Sequence, residues 1–281
     1  MIQPKQKPRL ADIRSHYDEL DSFYREIWGE HVHHGLWISG RESQGEAVLQ
    51  LSRLVAERAR IQAGDAVCDI GCGYGATSRW LVSEYQAMVT ALTVSKAQYD
   101  YARKIARGRR NPRYLCRDWL KNRLKKKSFD ALVAIESSEH MASPAGFFAE
   151  AYRVLRPGGR LVVCAWLSRE NPRETEIRYL LEPICREGRL HFLGTARDYR
   201  RTIQSAGFRS VHGKDLTSQV KKTWAICIRR AAWRIATDPG YRRFLWKSPS
   251  SNKIFAKTLL RMWAAYGLGS LRYALFTAVK R

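Results

Sequence analysis

The stretch AVCDIGCGYGATS, residues 66–78, decides the fold of this chain. An apolar run, Ala66 to Cys68, ends in Asp69. Gly71, Gly73 and Gly75 then fall at alternate positions, and Thr77, Ser78, Trp80 and Leu81 follow with helical spacing. This pattern predicts a buried strand, a tight glycine turn and a helix start. Glycine serves where the backbone takes positive φ or lets a ligand approach closely. In an open α/β sheet such a turn lies at the carboxyl edge of the first strand, where cofactors bind.

The spacing separates this loop from a dinucleotide fingerprint, which reads G-x-G-x-x-G and seats a pyrophosphate. Here the glycines read G-x-G-x-G, and Asp69 stands two residues before the first. A carboxylate there suits a cationic part of a ligand.

At 281 residues and 45% hydrophobic, the chain is long enough for a full α/β core with additions. The first residues, MIQPKQKPRL, lack the apolar centre of a secretory signal. The nearest approach to a membrane span, 258–279, is broken by Arg261 and Arg272. Six scattered cysteines without a C-x-x-C pair disfavour a disulfide framework or zinc site, and point to a cytoplasmic, reduced protein. The net charge of +24 is concentrated in Arg103–Arg113 and in KNRLKKK, 121–127. Such runs serve as solvated faces or as contacts to anionic partners. No RNA-binding module signature accompanies them, which makes nucleic acid an unlikely partner and an anionic membrane surface the better expectation.

Residues 9–30 read as one helix, with Ile13, Tyr17, Leu20, Tyr24 and Ile27 on a common face. WGEHVHHGLW (28–37) follows; its three histidines have no carboxylate or cysteine cluster at ligand spacing, so no metal is expected. A helix over 44–61 precedes the strand at 66. Further strands are expected at 88–95, 113–116, 131–135, 161–166, 208–214 and 273–279, with helices at 76–85, 96–107, 145–155, 174–190 and 198–207. FDALVAIESSEHM (129–141) delivers Glu136, Glu139 and His140 to the carboxyl edge. Histidine is the natural proton acceptor near neutral pH. Residues 218–270 form a basic, aromatic-rich insertion with Trp224, Trp233, Tyr241, Phe244, Trp246, Trp263 and Tyr266. Aromatic residues at helical spacing read as core.

DIGCGYG resembles motif I of the class I methyltransferases that use S-adenosylmethionine. WGEHVHHGLW and ESSEHM are similar to the corresponding segments of the tocopherol methyltransferase branch. The resemblance implies a Rossmann-like α/β fold: a mostly parallel seven-stranded sheet with an antiparallel last strand and a helical cap. It divides the chain into a cap segment (1–60), a cofactor-binding core (61–217), a substrate lid (218–270) and a final strand (271–281). It further implies that Asp69, Gly71, Gly73 and Gly75 pass under the amino acid end of S-adenosylmethionine, with Tyr17, Gly35 and Trp37 near its methionine part. Thr93, in place of the commoner acid, would meet the ribose with Ser95 and Gln98. Asp118 would meet the adenine, beside Trp119. Glu136 would contact the cofactor and join His140 in catalysis, and His140, Trp224 and Trp263 would hold a hydrophobic small molecule of phenolic or isoprenoid type. Alternatives are a sterol- or cyclopropane-lipid-type C-methyltransferase, a small-amine N-methyltransferase, and a non-catalytic basic adapter for membrane or RNA.

Overall fold

The computed structural model describes residues 1–247 and 251–281, the side chains at 22, 23 and 244–256 excepted. Its elements run α1 (Leu10–Glu19), α2 (Asp21–Ile27), α3 (Gln44–Ala59), β1 (Ala66–Ile70), α4 (Ala76–Tyr85), β2 (Met88–Thr93), α5 (Lys96–Ala106), β3 (Arg113–Cys116), β4 (Phe129–Ile135), α6 (Pro144–Val154) and β5 (Leu155–Ser168). After these come α7 (Glu174–Glu176), α8 (Glu182–Glu187), α9 (Ala196–Ser205), β6 (Arg209–Asp215), α10 (Thr217–Val220), α11 (Lys222–Thr237), α12 (Pro239–Lys247), α13 (Ser251–Gly267) and β7 (Leu271–Val279).

The strands form one seven-stranded sheet in the order β3-β2-β1-β4-β5-β7-β6. Pairing is parallel from β3 through β5, and β7 runs antiparallel between β5 and β6. Strand residues alternate between two apolar layers, as a period of two requires. Val67, Val133, Val162 and Leu275 face one layer; Cys68, Leu132, Leu161 and Phe276 face the other. The chain order reverses between β1 and β4, and a crevice opens at the carboxyl ends of these strands.

Three details depart from the sequence expectation. The helix over 9–30 is two helices, broken where Leu20 leaves helical geometry at φ −95°, ψ 11°. The helix over 174–190 contains a π turn at Ile177–Leu181, placed just before Pro183, which has no N–H to give to the carbonyl four residues back. The segment RPGG (156–159), between the helix expected at 145–155 and the strand expected at 161–166, is the start of β5, where the pairing of Phe129 and Ala131 shifts register. In addition, α3 packs on β4 and β5, so it forms part of the core layer although it lies within the expected cap segment. Ser43 and Glu46 fix its start with a reciprocal capping box.

Candidate active site

The glycine turn sorts its residues by neighbour. Gly71 and Gly73 have φ of 79° and 54°. A Cβ on Gly71 would stand 2.3 Å from that of Ser137, whereas one on Gly73 would meet nothing within 4 Å. That open space is a cleft of about 630 Å³ lined by Gly71, Gly73, Leu92, Thr93, Gln98 and Trp119, with Tyr17, Glu136 and His140 at its far end. Gly75 is not among the lining residues; a Cβ there would strike the Tyr114 ring at 2.5 Å, so this glycine serves packing.

Asp69 ends β1 buried, and its Oδ2 accepts from Ser78 Oγ at 2.5 Å. Burial raises its carboxyl to about 6. It faces a smaller cavity beneath the loop, shared with Glu30, His31, His33 and Thr77. Thr93 donates to Gln98 Oε1 at 2.8 Å, and both line the main cleft. Four expected cofactor residues have other partners. Ser95 caps α5 by accepting from Gln98 N, and donates its hydroxyl to Asp18 of α1. Asp118 accepts from Leu120 N at 2.9 Å and lies off the cleft lining, which instead takes its neighbours Arg117 and Trp119. Trp37 donates to Glu42 O at 3.2 Å and packs near Lys222. Gly35 is likewise displaced from the cleft: its N–H donates to Thr223 Oγ1 of the insertion, and a Cβ would stand 2.7 Å from Ala47.

A second chamber of about 680 Å³ adjoins the first, and Tyr17, Val32, Glu136 and His140 line both. Its walls are Tyr24, Trp28, Trp166, Trp224, Ile184, Leu259 and Met262. Trp224 sits there, 4% exposed. Trp263 does not: it is 55% exposed on the outer side of α13. Phe244 and Trp246 lie outside the described side chains. Trp28 and Trp166 escaped sequence reading, although Trp166, closing the run LVVCAW, was legible as an aromatic at a strand's carboxyl end.

Glu136 stands between the chambers, held at φ 54°. Its carboxylate accepts four hydrogen bonds: from His34 N (2.8 Å), His34 Nδ1 (2.9 Å), Trp166 Nε1 (2.9 Å) and Tyr273 OH (2.8 Å). Indole N–H only donates, so the 2.7 Å bond from Trp224 Nε1 makes His34 Nε2 an acceptor and places the ring proton on Nδ1. Burial opposes ionisation of Glu136, but His34 and the donated bonds outweigh it and hold the carboxyl at about 2. A carboxylate offers about four lone-pair sites. All are taken, so Glu136 is an anchor joining the N-terminal segment, β4, β5 and β7, and cannot double as a base. This corrects its expected catalytic role.

His140 differs. Its Nδ1 lies 3.1 Å from Arg189 O, a pure acceptor, so Nδ1 carries the proton and Nε2 accepts from Tyr17 OH at 2.9 Å. Burial lowers its pKa to about 4, leaving the ring neutral at physiological pH. His31 and His33 contact Thr77, and among the described residues no group of three histidine, cysteine or acidic side chains is placed to hold a metal ion.

The pattern of the mycolic acid cyclopropane synthetase family matches residues 4–267. The tocopherol O-methyltransferase of Arabidopsis thaliana chloroplasts is 28% identical over 95% of this chain and 81% of that protein. Among solved structures, the [4+2]-cyclase SpnF superposes with a TM-score of 0.83 at 25% identity, covering 100% of this chain and 99% of that one. The mycolic acid cyclopropane synthase CmaA1, crystallised with S-adenosylhomocysteine, superposes at 0.83 and 23% identity, over 98% and 100%. The fold and the glycine cleft define a class I methyltransferase that uses S-adenosylmethionine. The chain belongs to the mycolic acid cyclopropane synthetase family, whose relatives here act as lipid and small-molecule methyltransferases. The adapter alternative falls with that membership.

The residues fit the cofactor on structural grounds. Gly73 leaves open the space that any side chain would fill, Leu92 and Trp119 offer apolar surface for a flat base, and a buried acid beneath the loop suits a cationic amino acid end.

Proposed function

We propose that this enzyme methylates a hydroxyl of a neutral phenolic or isoprenoid lipid of tocopherol type. One observation carries the reading: a neutral Tyr17–His140 pair, with its acceptor nitrogen toward Tyr17, at the boundary shared by the two chambers. The charges lining the second chamber agree: among the described residues they are acidic only, from Glu136 and Glu187, with no lysine or arginine. An anionic substrate group would be repelled there, while an apolar ring or chain finds tryptophan, leucine and methionine walls.

When bound, S-adenosylmethionine supplies a methyl group already activated on a sulfonium. Gly71, Gly73, Thr93, Gln98 and Trp119 would hold it, with Asp69 beneath the loop. Tyr17 OH orients the acceptor hydroxyl and relays its proton: Tyr17 O takes the proton as its own passes to His140 Nε2. Arg189 O holds the Nδ1 proton throughout, so the ring cannot rotate away. An oxygen gaining a third bond becomes strongly acidic, so a base with pKa of about 4 suffices. The aromatic walls exclude water and align the reactants, an effect that reaches about 7–11 kcal/mol in favourable systems.

C-methylation of a sterol or an unsaturated lipid is the second reading. Trp28, Trp166 and Trp224 around the Glu136 anion favour it, because aromatic faces stabilise cationic intermediates. A panel of phenolic isoprenoids, sterols and unsaturated phospholipids, read as S-adenosylhomocysteine release with the product's methyl position fixed by NMR, separates them. A new O-methyl signal from a phenol supports the first reading; turnover confined to sterols or unsaturated chains, with a new C-methyl, defeats it.

A further inference from the structure

The insertion 218–270 carries eleven lysines and arginines against one aspartate, hence ten of the chain's net +24 charges. Its helices are two-sided. Leu259 and Met262 of α13 and Trp224 of α11 line the second chamber. Their other sides leave Trp233 (68% exposed), Leu260 (57%) and Trp263 (55%) in water, among exposed Arg229, Arg234 and Lys257. Leu268, just beyond α13, is also exposed.

Scattered apolar residues on a surface need no explanation, but large ones interleaved with cations on helices that roof an apolar chamber do. Indole rings settle at the headgroup level of a bilayer, and arginine and lysine pair with lipid phosphates. The other dense cationic runs, Arg103–Arg113 and Lys121–Lys127, lead into β3 and β4 and therefore sit at the amino edge of the sheet, opposite the chambers. Neither run carries an exposed tryptophan or leucine beside it.

We propose that the outward faces of α11 and α13 dock the lid on an anionic lipid bilayer, so that an apolar substrate reaches the chamber from the membrane. This rests on the reading of the substrate as a lipid, but binding and catalysis are measured separately. The test is flotation of the full chain with phosphatidylcholine vesicles containing phosphatidylglycerol, against phosphatidylcholine alone. S-adenosylhomocysteine affinity, followed by calorimetry, monitors an intact fold in each variant.

Wild type should float with the anionic vesicles and detach as salt rises. Arg229→Glu should weaken binding by at least about fivefold, the equivalent of one cation at the surface. Trp233→Ser with Trp263→Ser should weaken it by about tenfold or more. Replacing Lys125, Lys126 and Lys127 by glutamine should leave most of the binding in place. The proposal is overturned if wild type ignores anionic vesicles, if the lid variants float like wild type, or if the lysine-loop variant alone abolishes flotation. Selective retention of RNA with no vesicle binding would overturn it too.

Discussion

At the residue scale the site divides its two boundary groups into an anchor and a proton acceptor. Glu136 has every lone pair engaged, whereas His140 engages one nitrogen with a backbone carbonyl and turns the other to Tyr17. His140→Ala should therefore lower kcat by about 10²–10³ while cofactor affinity, measured by calorimetry, stays nearly constant. Glu136→Gln should instead cost about 3 kcal/mol of stability in denaturant titration, because an amide turns donors toward donors. Equal loss of kcat without destabilisation would return Glu136 to the chemistry. Gly73→Val should abolish S-adenosylhomocysteine binding: its side chain would fill the cleft, and φ of 54° strains a branched residue.

At the element scale, α1 roofs the cofactor cleft and α2 the second chamber, and few bonds pin them to the body of the fold. Asp18 accepts from Ser95 Oγ and from Ala97 N (3.1 Å), Tyr74 OH donates to Asp21 O (3.0 Å), and Glu30 bridges Arg79 and Tyr101. Ser95→Ala removes both a helix cap and the Asp18 tie. It should cost about 1 kcal/mol and speed hydrogen exchange in residues 10–27 ahead of the core strands. Uniform exchange across the chain would show that α1 does not move as a separate unit. The bonds that reveal this roof join positions 49 to 79 apart in sequence, so no local pattern could have shown that Ser95 serves α1 while Thr93 and Gln98 line the cleft.

At the scale of the whole molecule, buried ionisable groups set the pH response, and they oppose one another. Burial holds His16, His31 and His140 at about 3, 3 and 4, below the ordinary 6.5. As pH falls from 6.5 toward 4, the unfolded chain gains protons that these folded rings refuse, so stability drops. Burial also holds Asp69 and Glu139 up at about 6 and 7; the folded chain then binds protons that the unfolded chain has lost, which offsets part of that drop. Burial lowers His33 as well, so the histidines outnumber the acids and stability falls toward pH 5, each uncompensated proton being worth roughly 1.4 kcal/mol per pH unit. Glu139→Gln should steepen the fall, as thermal melts from pH 7 to 5 would record; a flatter profile contradicts the assignment.

Much of this was legible in the chain itself. Residues 66–78 marked the first strand and the glycine turn, with the cofactor implied by their resemblance to motif I, and the alternation of short apolar runs with amphipathic helices marked the α/β class. Those are local properties, carried by backbone conformation and periodicity. Which aromatic faces the chamber, which carboxylate is saturated and which histidine nitrogen is open depend on contacts such as Trp224 with His34 and Tyr17 with His140, far apart in sequence. Only the packed molecule decides them, because a helix period states that a side is buried and not what it is buried against.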